Sequence, residues 1–227
     1  MKNRPYILAN FAITLDGKIS TRKRTPSTFT SKTDKQELLR IRSHGDAVMV
    51  GRSTLEADTM SLGLPNEQLR NERKKRSQAP FPLRIVVSRT GKLSPKLKIF
   101  NSPGGKILLF VEKNKRKTKF PNTEIHPLTP FDLNQALSTL YTDYAVRTLV
   151  CEGGPTLFRS LVEKDIIDEL RLTLAPCIFG GEKAPGLLGL VNNFLPRVTQ
   201  FKIQSIDVRE NEAFLTLRRQ RQHQKKK

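Results

Sequence analysis

The chain has 227 residues, 37% of them hydrophobic, which is enough apolar material for one sizeable core. No apolar run approaches the roughly 20 residues that span a bilayer, so the sequence argues against a membrane-spanning helix. The 41 lysines and arginines against 21 aspartates and glutamates give a formal net charge of +20, which favours phosphates, nucleic acids or acidic membranes as partners but does not bear on the fold.

Short apolar runs alternate with helical patterns along the chain. Strands are predicted at residues 6–12, 47–51, 85–88, 107–111, 148–151 and 170–175, and helices at about 33–43, 133–141 and 156–164. Ser31 and Asp34 have the spacing of a capping box before the first helix. Two further strands, 203–208 and 213–217, flank "RENE" as a closing hairpin. This order predicts an α/β fold, with a mostly parallel central sheet flanked by helices and an antiparallel C-terminal hairpin.

The positive charge is concentrated in residues 66–78, 112–119 and 218–227, which the sequence predicts to be two loops and a tail. With no internal repeat and no linker in the sequence, residues 1–217 are expected to form a single domain. Residues 218–227 are expected to be a basic, disordered tail.

Two cysteines, Cys151 and Cys177, lie in apolar strand-like segments. Neither a CxxC motif nor a Cys/His cluster is present, so we predict no metal site and two buried free thiols in a reducing cytosol. The N-terminal apolar stretch is interpreted as a first strand and not as a signal peptide. The sequence therefore predicts a cytoplasmic protein.

The stretch "CEGGPT" places Glu152, Gly153, Gly154 and Pro155 between a buried strand and a helix. Proline is favoured at the first helical position, and the unpaired N–H groups of a helix N-terminus favour an anion. Glycines would let a diphosphate approach the backbone closely. A tight turn that needs glycine for its own geometry explains the stretch equally well.

Two other segments follow predicted strands. "ITLDGKI" places Asp16 and Gly17 after the first strand, where an Asp-Gly pair is typical of a turn. "DAVMVGRSTLEAD" leads from a strand to Ser53, Thr54 and Asp58. Because the carboxyl ends of neighbouring parallel strands share one edge of a sheet, these segments are expected to meet there with "CEGGPT".

Five stretches together carry a family resemblance: "NFAITLDGKIST", "LRIRSHGDAVMVGRSTLEAD", "PLRIVVS", "VCEGGPTLFRSLVEKDIIDEL" and "LAPCIFGGEKAP". In order and spacing they resemble the reductase of riboflavin biosynthesis, which occurs alone or as the C-terminal half of a deaminase–reductase. The resemblance implies a dihydrofolate-reductase-like fold, NADPH as cofactor and a homodimer. It also implies reduction of a pyrimidine ribosylamino 5′-phosphate, in its uracil or its diaminopyrimidine form, to the ribityl compound.

The resemblance also implies roles for individual residues. Residues 154–160 fall where the family holds the cofactor diphosphate, and Arg89 falls near the adenosine ribose, where a guanidinium would suit the 2′-phosphate of NADPH. The residues implied in cofactor binding are Thr54, Asp58, Arg89, Gly153, Gly154, Pro155, Thr156 and Leu157.

On the substrate side the resemblance implies Asn10, Asp16, Ser27, Phe29, Ser31, Leu62 and Glu152. Glu152 is the candidate orienting group and acid for hydride transfer to an imine at C1′ of the sugar, and Asp16 is the second catalytic candidate. Binding the pyrimidine without proton transfer is the alternative for Glu152, and turn formation is the alternative for Asp16.

The chain departs from the family pattern at "ADTMSL", where an Asp-Pro pair and a following arginine are missing and only Leu62 keeps its place. A paralogue that reduces another substrate is therefore one alternative function. A basic protein that binds polyanions or nucleic acid through its charged loops is another. The lack of tryptophan and the 7% aromatic content argue against that reading.

Overall fold

The computed structural model describes residues 3–21, 29–112, 119–190 and 193–221. Within these ranges the strands are β1 (Tyr6–Thr14), β2 (Ala47–Gly51), β3 (Leu83–Val87), β4 (Ile107–Val111), β5 (Thr123–Pro127), β6 (Thr148–Cys151), β7 (Glu169–Ala175), β8 (Phe201–Arg209) and β9 (Glu212–Arg219). The α-helices are α1 (Lys32–His44), α2 (Arg52–Ala57), α3 (Glu67–Lys75), α4 (Leu133–Thr142) and α5 (Pro155–Glu163). No described helix is long and apolar enough to cross a membrane.

One sheet joins all nine strands in the order β5-β4-β3-β2-β6-β1-β7-β9-β8. The strands from β5 to β7 run parallel, and β9 and β8 complete the sheet in antiparallel pairing. The predicted α/β class, the parallel core and the C-terminal hairpin are all confirmed. The order also brings β3, β2, β6 and β1 side by side, so their carboxyl ends form one continuous edge.

The central strands are buried on both faces, which explains their unbroken apolar runs. Along β2, Ala47 and Met49 belong to an apolar cluster that includes residues of α4 and α5. Val48 and Val50 point to the opposite face and belong to a second cluster, to which α1 contributes Ile41 and α2 contributes Leu55. The helices thus form a layer on each side of the sheet.

The expectation that residues 66–78 form a loop is wrong. Helix α3 occupies most of that segment and begins after Asn66, whose side chain accepts a hydrogen bond from the Leu69 N–H at 3.1 Å. Arg73 is only 1% exposed. Its guanidinium donates to the carbonyl oxygens of Ser43, Gly45 and Ala79 at the end of α1 and nearby. Arg73, which the sequence places in a solvated loop, is therefore a buried residue that caps the carbonyl groups at the end of α1.

Strand β5 was not predicted, because its sequence "TEIHP" lacks an apolar run. It pairs with β4 at the edge of the sheet, and four of its five residues are half-buried. An edge strand can carry polar side chains because one of its neighbours is water.

The expected start of the tail at residue 218 is also wrong. Strand β9 continues through Arg219, whose Nε lies 2.6 Å from Asp165 Oδ1. Arg221 then donates to Asp168 Oδ1 at 2.9 Å. The rest of the expected tail, residues 222–227, lies outside the described residues.

Asp168 joins the two ends of the described fold. Its carboxylate accepts from Arg4 at 2.5 and 2.8 Å, from Arg221 and from the backbone N–H of Ile7 at 2.8 Å. Burial alone would raise the pKa of Asp168, but the two guanidinium groups and the N–H outweigh it and the pKa is lowered.

We expect Asp168→Asn to lower the free energy of unfolding by about 2 kcal/mol near neutral pH, because buried charge-assisted hydrogen bonds are lost. A carboxyl whose pKa falls on folding stabilises the fold above its unfolded pKa of about 4. That contribution is lost as the pH falls through the folded pKa, so the difference between the two proteins should shrink under acid. Urea titrations across that range test this. Asp143→Asn, at an exposed position, is the matched control and should change little.

Candidate functional site

The residues implicated by the sequence follow the carboxyl ends of four adjacent strands. Arg89 follows β3. Helix α2 follows β2; Thr54 lies in this helix and Asp58 directly after it. Glu152 and the two glycines follow β6, and Asp16 follows β1. Such an edge is where open α/β sheets bind ligands. The expected convergence of the three segments at one edge is therefore present.

The two glycines are packed tightly against neighbouring chain. The Gly153 carbonyl oxygen accepts from the Gly51 N–H at 2.9 Å. A Cβ on Gly153, whose φ is +101°, would lie 3.2 Å from the Phe11 ring, and a Cβ on Gly154 would lie 2.0 Å from Thr54 Oγ1. The turn thus needs glycine for its own packing. The same packing places the Thr54 hydroxyl beside Gly154, the residue that caps the start of α5.

Helix α5 presents backbone donors at its N-terminus. Pro155 occupies the first helical position, and the Gly154 cap makes no side-chain hydrogen bond. The first helical hydrogen bond runs from the Phe158 N–H to the Gly154 carbonyl at 2.9 Å. The N–H groups of Thr156 and Leu157 precede that bond, so helix geometry leaves them for an outside acceptor. These donors and the helix dipole suit a diphosphate.

Glu152 forms a buried ion pair with Arg42, a residue that the sequence reasoning missed. Arg42 Nε and Nη2 lie 2.5 and 2.6 Å from the two carboxylate oxygens, and Nη1 donates to the Gly63 carbonyl at 3.0 Å. Both residues are less than 9% exposed. Burial acts to lower the pKa of Arg42, but the Glu152 carboxylate outweighs it and the pKa is raised. A signal did exist, because a carboxylate that follows a buried strand needs a cationic partner.

The segment that departs from the family pattern is held by arginines. Leu62 has a φ of +51° and is 1% exposed within the second apolar cluster, so its contact with a substrate stays a prediction. Arg42 donates to the Gly63 carbonyl, and Arg70 donates to the carbonyls of Leu64 and Pro65 at 2.9 and 2.6 Å. The basic helix α3 therefore contacts this segment through Arg70.

Asp16 connects the turn after β1 to the segment after β7. Its carboxylate accepts from the Thr14 hydroxyl at 2.5 Å and from the N–H groups of Phe179 and Gly180 at 3.2 and 2.8 Å. The Thr14 hydroxyl is the main cause of the lowered pKa of Asp16. Both interpretations of this residue remain open: it forms a turn with Gly17, and it stands at the edge of the site.

The remaining substrate-side candidates lie on β1 and before α1. The Phe29 ring lies 5.1 Å from the Phe179 ring in an edge-on arrangement, and Asn10 is half-buried on β1. Ser31 is the N-cap of α1 and accepts from the Asp34 N–H at 3.1 Å, as the capping pattern predicts. Ser27 lies outside the described residues.

Glu212 supplies a contact to Ser31 that the sequence could not reveal. Its carboxylate accepts from the Ser31 N–H at 2.7 Å and from the Ser31 hydroxyl at 2.6 Å. It thereby takes the place that Asp34 would fill in a reciprocal capping box. The start of β9 thus fixes the segment that carries Phe29 and Ser31.

Arg89 is exposed two residues beyond β3. Arg52, the first residue of α2, donates to the Lys92 carbonyl at 3.1 Å and so lies beside the turn that follows Arg89. Asp58 is the C-cap of α2 and is exposed. The β3 end of the edge therefore carries two guanidinium groups near solvent.

The family model of the RibD C-terminal domain matches residues 5–210. The chain belongs to this family. It is 32% identical over 187 residues to the 2,5-diamino-6-ribosylamino-4(3H)-pyrimidinone 5′-phosphate reductase of Archaeoglobus fulgidus, covering 80% of this chain and 85% of the relative. It is 28% identical over 190 residues to the Methanothermobacter thermautotrophicus protein of the same name, covering 82% and 84%.

Solved structures show the same fold. The deaminase/reductase of Thermotoga maritima matches with a TM-score of 0.80 at 23% identity, over 96% of this chain and 57% of that longer chain. An Enterococcus faecalis dihydrofolate reductase matches with a TM-score of 0.50 at 14% identity, over 94% and 96%. The family and the dihydrofolate-reductase-like fold expected from the sequence are confirmed. The relatives are named as reductases, in agreement with the oxidoreductase prediction, and this RibD-type fold suits a nicotinamide cofactor.

We expect Arg42→Met to lower the free energy of unfolding by about 3–5 kcal/mol, because it leaves the Glu152 carboxylate buried without a partner. Arg42→Met combined with Glu152→Leu should recover most of that loss, since neither charge is then buried. Unfolding of the wild type, Arg42→Met, Glu152→Leu and the double variant in guanidinium chloride measures the coupling between the two residues. Additive losses in the double variant would contradict the ion-pair reading. Lys164→Met, which breaks the half-exposed pair with Asp132, is the control and should cost under about 1 kcal/mol.

Proposed function

We propose that this protein is the NADPH-dependent reductase that converts the ribosyl group of 2,5-diamino-6-ribosylamino-4(3H)-pyrimidinone 5′-phosphate to a ribityl chain in riboflavin biosynthesis. One observation carries the proposal: the N-terminus of α5, without a side-chain cap, adjoins the buried Arg42–Glu152 pair at one sheet edge. A site for an anionic dinucleotide and an oriented carboxylate thus stand next to each other in the chain.

The cofactor side fits a dinucleotide diphosphate. The Thr156 and Leu157 N–H groups would donate to it, and the Thr54 hydroxyl beside Gly154 would add a further donor. Bound nicotinamide would supply the hydride. The protein's own task is to hold the reacting carbons at about 3–3.5 Å and to exclude water.

Glu152 serves this reaction as an orienting group. Both of its oxygens accept from Arg42 and its side chain is only 2% exposed, so a ligand that reaches it would use the acceptor positions, about four on a carboxylate, that Arg42 does not occupy. Those positions suit the N–H groups of an amino-substituted pyrimidine. Binding the pyrimidine is the role we assign to Glu152.

The choice of the diaminopyrimidine over the uracil form rests on two supports. The relatives at 32% and 28% identity bear the name of the diaminopyrimidinone phosphate reductase. A carboxylate that only accepts hydrogen bonds also favours the pyrimidine with more N–H donors.

Arg89 and Arg52 support NADPH over NADH. Both lie at the β3 end of the edge, beyond Thr54 as seen from α5. A 2′-phosphate on the adenosine ribose would gain charge-assisted hydrogen bonds from a guanidinium there, and a 2′-hydroxyl would not. The proposal also places the enzyme in the cytoplasm, where its two cysteines, both free thiols in this structure, would stay reduced.

The direct test follows NADPH oxidation with each of the two pyrimidine ribosylamino phosphates and identifies the product by mass. We expect the diaminopyrimidine form to gain two hydrogens at the sugar and the uracil form to react more slowly. Saturable NADPH binding without turnover of either compound would instead favour a paralogue that acts on another substrate. Absence of NADPH binding would reject the proposal.

We expect Thr156→Asp to separate stability from cofactor binding. A carboxylate in the first turn of α5 favours the helix dipole and should leave the free energy of unfolding unchanged or raise it by about 0.3–1 kcal/mol. The same charge would repel the diphosphate and weaken NADPH binding by about tenfold or more. Thr156→Asn is the uncharged control. Fluorescence titration with NADPH compares the two, and equal affinities would mean that the diphosphate lies elsewhere.

Arg89→Ala should reduce the affinity for NADPH by about tenfold while leaving that for NADH almost unchanged, because only NADPH carries the 2′-phosphate. NADH is therefore the internal control. Titrations of both cofactors at fixed ionic strength measure the ratio, and an equal loss for both would assign Arg89 to another part of the cofactor.

A further inference from the structure

Asp16 fixes the start of the segment that follows β7, residues 178–189. Its carboxylate accepts from the N–H groups of Phe179 and Gly180 at 3.2 and 2.8 Å. The hydroxyl of Thr14, a buried residue at the end of β1, donates to the same carboxylate at 2.5 Å. Hydrogen bonds to an ionised acceptor are stronger than those between neutral groups. One carboxylate therefore joins the end of β1 to the chain that leaves β7.

Two further contacts fix the same segment along its length. The Ile19 N–H donates to the Pro185 carbonyl at 3.0 Å, just after the turn that contains Asp16. At the far end, a Cβ on Gly189 would lie 3.5 Å from Pro155, the first residue of α5. The segment therefore extends along one side of the site, from the turn after β1 to the helix whose N–H groups suit a diphosphate.

Between these contacts the segment borders a cavity of about 530 Å³, lined by Thr21 and residues 178–184. Cavities of this size commonly hold small molecules. Gly180 and Gly181 have φ values of +64° and +80°, yet a Cβ on either would meet no atom of the described residues within 4 Å. Their backbone conformation, and not a close neighbour, therefore requires glycine. The two glycines also leave this side of the cavity without side chains.

Phe179 is the one aromatic side chain among the described residues that line the cavity. It is half-buried, and its ring lies 5.1 Å from the Phe29 ring at an angle of 78°. Aromatic rings stack on flat heteroaromatic ligands. In the sheet, β7 is two strands from β6, so the ends of these strands are about 10 Å apart. A pyrimidine between them can contact Glu152 with its N–H groups and Phe179 with its face.

We propose that segment 178–189 is the wall of the site on the β7 side, that Phe179 contacts the pyrimidine ring of the substrate, and that Asp16 positions Phe179. This gives Asp16 a third role beside the two considered above. It acts on the reaction through the Phe179 backbone N–H and does not touch the substrate. The inference rests on the proposed function, because it takes the pyrimidine ribosylamino phosphate as the ligand.

Phe179→Ala tests the contact with the pyrimidine. We expect the KM for the diaminopyrimidine phosphate to rise by about tenfold because stacking is lost, while the dissociation constant of NADPH stays unchanged. Phe179→Tyr keeps the ring and should keep the wild-type KM. A KM that Phe179→Ala leaves unchanged would overturn the contact. A loss of NADPH affinity in its place would also overturn it, because Phe179 would then contact the nicotinamide.

A double-variant cycle tests whether Asp16 acts through Phe179. Asp16→Asn keeps a residue that suits the turn with Gly17 but removes the charge that accepts from the two N–H groups. We expect it to raise KM in the wild-type background and to add almost nothing in the Phe179→Ala background, since the ring that it positions is then gone. Asp143→Asn, an exposed change elsewhere, is the control for the loss of one charge.

Two results of this cycle would overturn the positioning role. One is a pair of losses that multiply in the double variant. The other is a lower kcat for Asp16→Asn at unchanged KM. Either would mean that Asp16 acts on the substrate directly.

Hydrogen exchange distinguishes a failure of this inference from a failure of the proposed function. Asp16→Asn should speed amide exchange in the peptide that covers residues 178–189 and leave exchange in β4 unchanged, whether or not substrate is turned over. Unchanged exchange in that peptide would overturn the anchoring by Asp16. Faster exchange in a protein whose wild type reduces neither pyrimidine phosphate would reject the proposed function and the Phe179 contact, and would leave the anchoring in place.

Discussion

The buried pair of Arg42 and Glu152 is the interaction on which the site depends. It joins three parts of the chain that are distant in sequence: helix α1, the segment at Gly63 and the end of β6. A buried carboxylate without a partner would be strongly unfavourable, so Glu152 cannot be kept at this place without Arg42. Each residue thereby fixes the position of the other. Because Gly153 and Gly154 follow Glu152 directly in the chain, the ion pair also fixes where the glycine turn begins.

The parallel strand order turns this local pair into a site. Because β3, β2, β6 and β1 are neighbours, the segments that follow them reach the same edge without any long loop crossing the sheet. The close contact between Gly154 and Thr54 shows how tightly two of these segments fit. The departure from the family pattern near Leu62 is accommodated by arginines that bind backbone carbonyls, so the missing residues do not loosen this part of the fold.

The sequence was sufficient for the features that depend on local pattern. The parallel strands, the Ser31 cap and the Pro155 helix start each follow from a few neighbouring residues, and all are present. It failed where the partner lies far along the chain. Glu212, near the other end of the sequence, accepts from Ser31. Arg73 has the sequence context of a solvated charge, and only the packing of α3 against the end of α1 buries it. Composition cannot distinguish such a cap from a surface arginine.

The shared carboxylate of Asp168 has a consequence for the topology of the chain. Arg4 and Arg221 bind the same side chain, so the start of β1 and the end of β9 lie on either side of the start of β7. A short linker between these residues would close the backbone into a ring, and the ring could be opened at the exposed turn of Glu210 and Asn211 without cutting any strand. Such a circular permutant would change the order of the elements along the backbone and keep their order in the sheet.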